Sequence, residues 1–496
     1  MREVMKNPPS PIFVDYILSP NLKKDAANSF DFFNSINKAH LMMLVDQGIV
    51  KKDVAKEIYK STRKLEAKGV GSLNLDAGKE DLSSCIEAFI IADCGAEIGG
   101  QLHTGRSRND LGGTVARMNF RRAALEMGRQ INELRECMLN FAKKYTDCVC
   151  TGYTCGQPAE PVTIAYQFCA YLTAMERDYA RLADGWKRLN QCPLGSCAMA
   201  GTTFPINREQ VAELLAFDKP GGNCLDSIAA RDYILELFAD LSIFGINLSR
   251  FCQDMYTWST FEFNYLDIDS SVCMCSSIMP QKKNPVTLEH VKAKAGHLQA
   301  AYISASTALK STPYTQVRDS SIESAHALKD AAYEMESCVQ LLKATIDTMK
   351  FNTEHMLAVT SDNFSTVSEL ANAMVRHSGL SFRQAHSVVG RIVRHLLDNN
   401  ETPSKITPEM VHSCAEEVLG KGLDMTPEQI YAALQPIPNA MARVHTGAPG
   451  KAAVEKQLEL LEKQLEEDKA LNAAREEAIA GARENLEKMI DRLIAQ

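Results

Sequence analysis

Long segments that are apolar around much of their circumference constrain this chain more than any other feature. The clearest are QFCAYLTAMERDYARLADGW (167–186) and RDYILELFADLSIFGINLSRFCQDMYTW (231–258). Because a helix that is apolar on most sides is buried on most sides, these two belong at the centre of a bundle. The segment SINKAHLMMLVDQGIV (35–50) has the spacing of an amphipathic helix. Alternating, strand-like stretches are scarce, so the sequence predicts an all-α fold.

The chain length predicts more than one domain. At 496 residues the chain is several times the usual domain size. The helical pattern is interrupted by GGQLHTGRSRND near residue 105 and by MLAVTSDNFSTV near residue 358. We therefore predict an N-terminal helical domain at 1–105, a central long-helix bundle at 106–357 and a C-terminal helical domain at 358–496.

The last stretch of the chain is dense in Glu and Lys, with apolar residues at heptad-like spacing. After a change of phase the spacing resumes, and the residues concerned are Leu458, Leu461, Leu465, Ile479, Ala482, Leu486, Met489 and Leu493. Two interpretations fit this pattern: a short coiled coil, or a charged terminal helix packed on its own protein. The second is favoured.

Charge and cysteine usage exclude several classes of protein. A net charge of −8 argues against a nucleic-acid partner, because a phosphate-binding face is basic. The sequence has no apolar h-region near its start and no run long enough to cross a membrane, so we expect neither secretion nor a membrane partner. The 15 cysteines form no CxxC pair, which indicates reduced thiols in the cytoplasm. Neither Cys148/Cys150 nor Cys273/Cys275 has a second ligand pair, so we expect no metal site.

Three irregular segments break the helical pattern: LHTGRSRND (102–110), TGYTCGQPAEP (151–161) and VCMCSSIMPQKKNP (272–285). Pro280 and Pro285 exclude one continuous helix through the third segment. The plain interpretation is a solvated loop, and the sharper one is a mobile loop whose hydroxyl, ammonium and amide groups close over an anion. Composition alone leaves both open.

The motifs in these segments resemble those of a known family. SSIMPQKKNP followed by Glu289 resembles the fumarase/aspartase superfamily signature Gly-Ser-Ser-x-Met-Pro-x-Lys-x-Asn. LHTGRSRND, PLGSCAMAGTTFPINRE (193–209) and NCLDSIAARDYILELF (223–238) resemble segments of argininosuccinate lyase in the same order. The resemblance extends over nearly the whole chain.

The resemblance implies a fold and a reaction. It implies a three-domain fumarase/aspartase-type fold and a homotetramer whose central helices form a twenty-helix core. Three segments from three subunits would meet at each site, where a carbon–nitrogen bond beta to a carboxylate breaks and fumarate leaves. The substrate would be a small dicarboxylate such as an N-substituted aspartate, and no cofactor is implied.

The resemblance also implies residue roles. Ser276 occupies the position of the family's catalytic base, and Lys282 and Asn284 occupy the positions that stabilise the carbanion. Glu289 and Cys155 occupy the positions of the two family residues that protonate the leaving group. The positions implied to contact substrate are His103, Ser107, Arg108, Asn109, Thr154, Arg231, Tyr314, Gln316 and Asp319. For Ser107 and Asn109 the alternative role is loop capping.

Four regions of the chain depart from the family pattern, and the changes cluster at the substrate and leaving-group end. Cys155 stands where the family has histidine, and a thiol cannot bridge two partners as an imidazole does. Glu160 stands at a glutamine nearby, and Cys275 stands at the glycine before the serine pair. Gln316 stands at a lysine and Asp319 at a glutamine. The segment EDLSSCIE (80–87) lacks the Val-His-Met-Asn that usually precedes Ile-Glu.

These departures leave two functions open. The first is a carbon–nitrogen lyase whose leaving amine is not arginine or is not bound in the usual way, with argininosuccinate itself still possible. The second is a catalytically altered or silent homologue that acts as a structural or binding protein, which the changes at Cys155 and Gln316 favour. The joint presence of five polar site residues argues against the second function: Ser107, Asn109, Ser276, Lys282 and Asn284.

Overall fold

The centre of the molecule is a bundle of long helices. The computed structural model describes residues 4–496. Within this range the bundle helices, which we number first to fifth, are Arg108–Ala142, Ile164–Leu189, Asp232–Trp258, Val286–Leu309 and Leu328–Thr348. Their inward side chains form one hydrophobic core that includes Phe120, Phe168, Phe238, Leu298 and Leu342. The all-α prediction is confirmed.

The third and fourth bundle helices are in close contact at Gly245. A Cβ atom added to Gly245 would lie 3.2 Å from Leu298 Cδ1 and 3.3 Å from the Cα of Ala295. Glycine in a helix interior costs roughly 0.5–1 kcal/mol relative to alanine. Here it permits the close contact that sets the two helices side by side along their length.

A second core lies at the amino-terminal side of the bundle. It is built by Ser19–Asp46, Lys52–Lys68, Leu82–Cys94 and the short helices Ala96–Gly99 and Arg208–Leu214. The short helix Cys224–Ala229 comes just before the third bundle helix. The helix predicted over 35–50 is part of Ser19–Asp46, and it ends at Asp46 because Gly48 adopts a φ of 68°.

A third, smaller core follows the bundle. Its helices are Val367–Ser378, Phe382–Asp398, Pro408–Leu419 and Pro427–Leu434. The helix before them, Thr353–Asp362, packs on the bundle core through Met356, and the short helix Pro436–Met441 follows them. The chain then returns to the bundle in one 45-residue terminal helix, Lys451–Ala495. Of the helices in residues 4–496, none combines the length and apolar character that a membrane-spanning helix requires.

The terminal helix packs on its own chain, as the favoured interpretation predicted. Val454, Leu458 and Leu461 belong to the core of the bundle, whereas Leu486 and Leu493 belong to the amino-terminal core. The change of phase in the heptad pattern marks the passage from one core to the other.

The two predicted domain boundaries differ in where they fall relative to the helices. Residue 105 lies in a turn shortly before the first bundle helix, whereas residue 357 lies inside Thr353–Asp362. The division at 105 and 357 therefore stays a prediction. We propose that the third domain begins after Asn363, and the packing of the terminal helix favours assigning that helix to the first two cores.

One buried ion pair fixes the terminal helix to the bundle. Arg135 Nη1 donates to Asp468 Oδ2 at 2.6 Å, and the Arg135 side chain is only 2% exposed. Because removal of one partner leaves an unpaired buried charge, we expect Asp468→Ala to lower the free energy of unfolding by about 3–5 kcal/mol. The measurement is the urea midpoint. The control is Glu467→Ala, which removes a pair with Lys463 at 3.7 Å on the surface and is expected to cost less than about 1 kcal/mol. Equal losses from both variants would contradict this prediction.

The few strands form short ladders around the bundle. The longest ladder is an antiparallel hairpin of Val149–Thr154 and Gln157–Thr163. Leu266–Asp267 pairs with Lys350–Phe351, Met274–Cys275 with Lys283–Asn284, and Gln191–Cys192 with Lys219–Pro220. The segment TGYTCGQPAEP is thus a β-hairpin rather than an irregular loop. Its two-residue turn places Cys155 at φ 53° and Gly156 at φ 73°, the pattern of a type I′ turn.

Candidate active site

The segment 102–110 ends in a strong helix cap. Ser107 is the N-cap of the first bundle helix, and its Oγ accepts from the backbone N–H of Asn109 at 3.3 Å. Asp110 returns the bond by accepting from the Ser107 N–H at 2.9 Å, which completes a capping box. Asn109 Nδ2 donates to the carbonyl of Ala198 at 3.1 Å. Both residues therefore have the capping and loop-holding contacts that sequence analysis kept as the alternative.

Asp110 links this cap to the segment 193–209. Its Oδ2 accepts from the backbone N–H groups of Gly195 and Cys197, each at 2.9 Å. Burial raises the pKa of Asp110 to about 6, while the backbone donors act in the opposite direction. Sequence analysis missed Asp110, although the Ser-x-x-Asp spacing is the signal of a capping box.

Two histidines and a buried arginine lie beside the cap. Burial and the nearby Arg106 lower the pKa of His40 to about 3, so its ring is neutral and Nε2 donates to the carbonyl of Thr104 at 2.8 Å. Burial and Arg106 also lower the pKa of His103, which is half-buried. Arg106 is buried, and among residues 4–496 its Nε and Nη1 atoms have no hydrogen-bond partner. This end of the molecule therefore has local positive charge next to neutral imidazoles.

Arg108 is already paired within the chain. Its Nη1 donates to Glu80 Oε2 at 3.2 Å and to Asp81 Oδ2 at 3.0 Å. The predicted substrate contact would have to compete with these two carboxylates.

Arg231 and the segment around residue 316 come together near this cap. Arg231 is 4% exposed, and its Nη2 donates to Gln316 Oε1 at 3.1 Å. Tyr314 donates to Asp226 Oδ1 at 2.5 Å, and this hydrogen bond raises the pKa of Tyr314 to about 12. Asp319 is exposed in the short helix Arg318–Ser321. Gln316, at the position where the resemblance implies a lysine, thus accepts a hydrogen bond from the buried guanidinium of Arg231.

Ser276 begins a tight loop on a miniature hairpin. Cys275 pairs with Lys283 and Met274 with Asn284, so residues 276–282 form the tip, which we call the serine loop. Ser276 Oγ accepts from the backbone N–H groups of Ile278 at 3.3 Å and Met279 at 3.0 Å. Hydrogen bonds donated to an oxygen favour its negative form, so this geometry suits an alkoxide. The prediction that Pro280 and Pro285 exclude a continuous helix is confirmed.

The serine loop is anchored from its base. Lys283 Nζ donates to Asp267 Oδ1 at 2.5 Å, and Asp267 belongs to the strand that pairs with Lys350–Phe351. The adjacent Lys282 is exposed and forms no ion pair with any of residues 4–496. One lysine therefore fixes the loop while its neighbour keeps an available ammonium group. Sequence analysis missed Asp267, since no local spacing connects it to Lys283.

Glu289 lies in the first turn of the fourth bundle helix, close in sequence to Asn284. Tyr256 of the third bundle helix donates from its hydroxyl to Glu289 Oε1 at 3.2 Å. Sequence analysis missed Tyr256 too, because nothing in the local pattern distinguishes it from other aromatic residues of that helix.

Thr154 and Cys155 lie exposed at the tip of the hairpin. The hairpin is held by Tyr153, whose hydroxyl lies 3.0 Å from that of Tyr265. Glu160 is paired with Arg443 Nη1 at 2.7 Å. This carboxylate is therefore paired with an arginine of its own chain and is not free to bind a basic leaving group.

The predicted site residues fall at two ends of the bundle in one chain. Arg231 immediately precedes the third bundle helix, whereas Tyr265, next to the hairpin and the anchor of the serine loop, follows its end. A helix of 27 residues is about 40 Å long. Among the hydrogen bonds and ion pairs of residues 4–496, none joins 102–110, 151–161 and 272–285 to one another. Residues 4–496 also contain no group of three or more His, Cys, Asp or Glu side chains arranged to hold a metal ion.

Comparisons with known proteins match these features. A family profile described as lyase matches residues 26–300, and one described as argininosuccinate lyase C-terminal matches residues 364–438. Argininosuccinate lyase 1 of Shouchella clausii is 43% identical over 94% of this chain and 93% of its own. Argininosuccinate lyase of Methanocaldococcus jannaschii is 38% identical over 86% of this chain and 87% of its own.

Solved structures extend the likeness to the whole fold. EDDS lyase in complex with formate has a TM-score of 0.86 at 26% identity, covering 99% of this chain and 97% of that one. Class II fumarase from Schistosoma mansoni has a TM-score of 0.67 at 15% identity, covering 86% of this chain and 92% of that one, and shares the fold alone.

Proposed function

The chain belongs to the argininosuccinate lyase family of the fumarase/aspartase superfamily and is a carbon–nitrogen lyase that releases fumarate, and we propose that its substrate is an aspartate with an amine or guanidine substituent on nitrogen. The observation that carries this proposal is the Ser276 hydroxyl oxygen held by two backbone N–H groups at the tip of an anchored loop.

The proposed reaction begins with proton removal from the carbon next to a carboxylate. Ser276, as the alkoxide, takes this proton, and the electron pair spreads into the carboxylate. The resulting doubly charged group requires donors aimed at it before the reaction begins. Lys282, with its unpaired ammonium, and Asn284 at the loop base are the proposed donors.

The substrate carboxylates are assigned to the other two segments. We propose that Ser107 and Asn109 at the start of the first bundle helix, with Thr154 at the hairpin tip, bind them. Partial positive charge at a helix N-terminus favours an anion there. Arg231 is the proposed guanidinium contact, and Gln316 fixes its orientation through the 3.1 Å hydrogen bond.

The leaving group is proposed to be a basic amine or guanidine other than arginine. Gln316 and Cys155 stand where the family has a lysine and a histidine, and Asp319 adds a carboxylate that forms no ion pair with residues 4–496. Argininosuccinate stays in the test as the family substrate. His103, Arg108 and Tyr314 are proposed to border the same end of the substrate.

The active assembly is proposed to be a homotetramer in the cytoplasm. The segment 102–110 is separated from the other two segments by the length of a bundle helix, about 40 Å, which supports sites built from several copies. All 15 cysteines are free thiols, which supports a reducing compartment.

The deciding experiment measures fumarate by its ultraviolet absorbance after addition of N-substituted aspartates. The panel contains argininosuccinate, EDDS and aspartates with aminoalkyl substituents, and the Ser276→Ala variant is the blank. We expect release from at least one member and the largest kcat/KM for a basic amine. Absence of release from every member would favour the silent homologue, whose binding is then measured by calorimetry with the same panel.

A further inference from the structure

The contact between the third and fourth bundle helices next to the serine loop contains a tyrosine–glutamate pair. Tyr256 lies in the last turn of the third bundle helix, and Glu289 lies in the first turn of the fourth. The Tyr256 hydroxyl donates to Glu289 Oε1 at 3.2 Å. Tyr256 is half-buried and Glu289 is exposed, so the carboxylate has one side fixed by protein and the other open.

The groups around this pair keep the phenol in place and protonated. Lys292 Nζ lies 4.8 Å from the centre of the Tyr256 ring and donates to Gln253 Oε1 at 2.5 Å. The hydrogen bond to the Glu289 carboxylate raises the pKa of Tyr256 above its ordinary value. Tyr256 therefore remains a donor at neutral pH, and Lys292 and Glu289 are the charged groups that face it from the fourth bundle helix.

The other group assigned to Glu289 is a weak partner. Cys155 is exposed at the hairpin tip, and its thiol forms no hydrogen bond with residues 4–496. A thiol has one weak donor and a weak acceptor, so it cannot fix a carboxylate as an imidazole does. Within residues 4–496 the hydrogen bond that orients Glu289 comes from Tyr256.

We propose that Tyr256 is the positioning residue of Glu289 in the elimination step. This inference rests on the proposed function. Ser276 takes the proton from carbon, the carbon–nitrogen electron pair leaves with nitrogen, and Glu289 delivers a proton to that nitrogen directly or through water. The Tyr256 hydroxyl then stabilises the carboxylate that this transfer leaves behind.

The test is Tyr256→Phe, assayed with the best substrate of the panel. We expect kcat to fall about 10- to 100-fold, the range of a hydrogen bond to a charged group, while KM changes less than about 3-fold. Without the donor a carboxyl holds its proton more tightly, so the alkaline limb of the pH profile of kcat should move to higher pH.

Two controls separate positioning from packing. Tyr333→Phe makes the same change on a ring that also has a lysine beside it, Lys294 at 5.4 Å, and should leave kcat and its pH profile unchanged. In a Glu289→Gln background, Tyr256→Phe should cause no further loss, because residues that act through one group are not additive.

The outcomes are distinct. Normal kcat and an unmoved alkaline limb in Tyr256→Phe, or additive losses with Glu289→Gln, would overturn the assignment while leaving the lyase intact. A wild-type protein that turns over no substrate would remove the proposed function and this inference together. Should Tyr256→Phe unfold, fluorotyrosine at position 256 keeps the ring and strengthens the donor, and the alkaline limb should then move to lower pH.

Discussion

Replacement of Ser276 by alanine is expected to lower kcat by about 10³-fold or more while the fold is kept. The Ser276 oxygen accepts two backbone N–H groups, from Ile278 at 3.3 Å and Met279 at 3.0 Å. Both donors favour the alkoxide that removes the proton from carbon, and no other hydroxyl of the serine loop shows that geometry in residues 4–496. The measurement is fumarate release in single turnover, with circular dichroism as the check on folding.

The neighbour Ser277 provides the matched control. It is exposed on the same loop, and its hydroxyl has no hydrogen bond within residues 4–496. Ser277→Ala should therefore keep kcat within about 3-fold of the wild type, the usual scale of a surface change. Retention of more than a tenth of kcat in Ser276→Ala would remove Ser276 from its proposed role.

Hydrophobic pattern was enough to predict the bundle. Helices such as Asp232–Trp258 are apolar on most sides, and only burial against several neighbouring helices removes that apolar surface from water. The heptad spacing of the terminal helix likewise predicted its packing. Its phase change was visible in the sequence, but which two cores it joined depended on contacts with residues several hundred positions away.

The hairpin was missed for a local reason. The segment 151–161 contains two glycines and two prolines, so its six- and seven-residue strands show no clean alternation. The signal that remained was the Cys155–Gly156 pair, since glycine favours a positive φ. A cysteine at the other turn position is not a usual type I′ residue, and this hid the turn.

Site chemistry was predictable only where it is local. The sequence motif located the serine loop. It did not predict that Glu160 forms an ion pair with Arg443 or that Gln316 accepts a hydrogen bond from Arg231. The residues of the first pair are 283 positions apart in the chain, and those of the second are 85 positions apart. Distant contacts of this kind depend on how the helices are arranged and leave no periodic trace in the chain.

Activity is expected to return when two inactive variants are mixed. Asn109→Ala removes a proposed carboxylate contact at one end of the third bundle helix, and Ser276→Ala removes the base at the other. Since these positions lie at opposite ends of a helix about 40 Å long in one chain, a site that uses both must draw them from different copies. Random reassembly then gives about a quarter of the sites both unaffected segments. The measurement is fumarate release after the two variants are dissociated in mild denaturant and reassembled together.

A second mixture supplies the control for this result. Ser276→Ala and Lys282→Ala lie on the same serine loop, so every site in their hybrids receives a loop with one defect. That mixture should stay as inactive as its parents, whereas the Ser276 and Asn109 mixture recovers. Recovery in both mixtures would mean that the loop does not act as one unit. Reassembly is verified by size-exclusion chromatography. If neither mixture then recovers activity, both segments serve a site within a single chain. In that case the 40 Å separation would have to close by a rearrangement of the bundle.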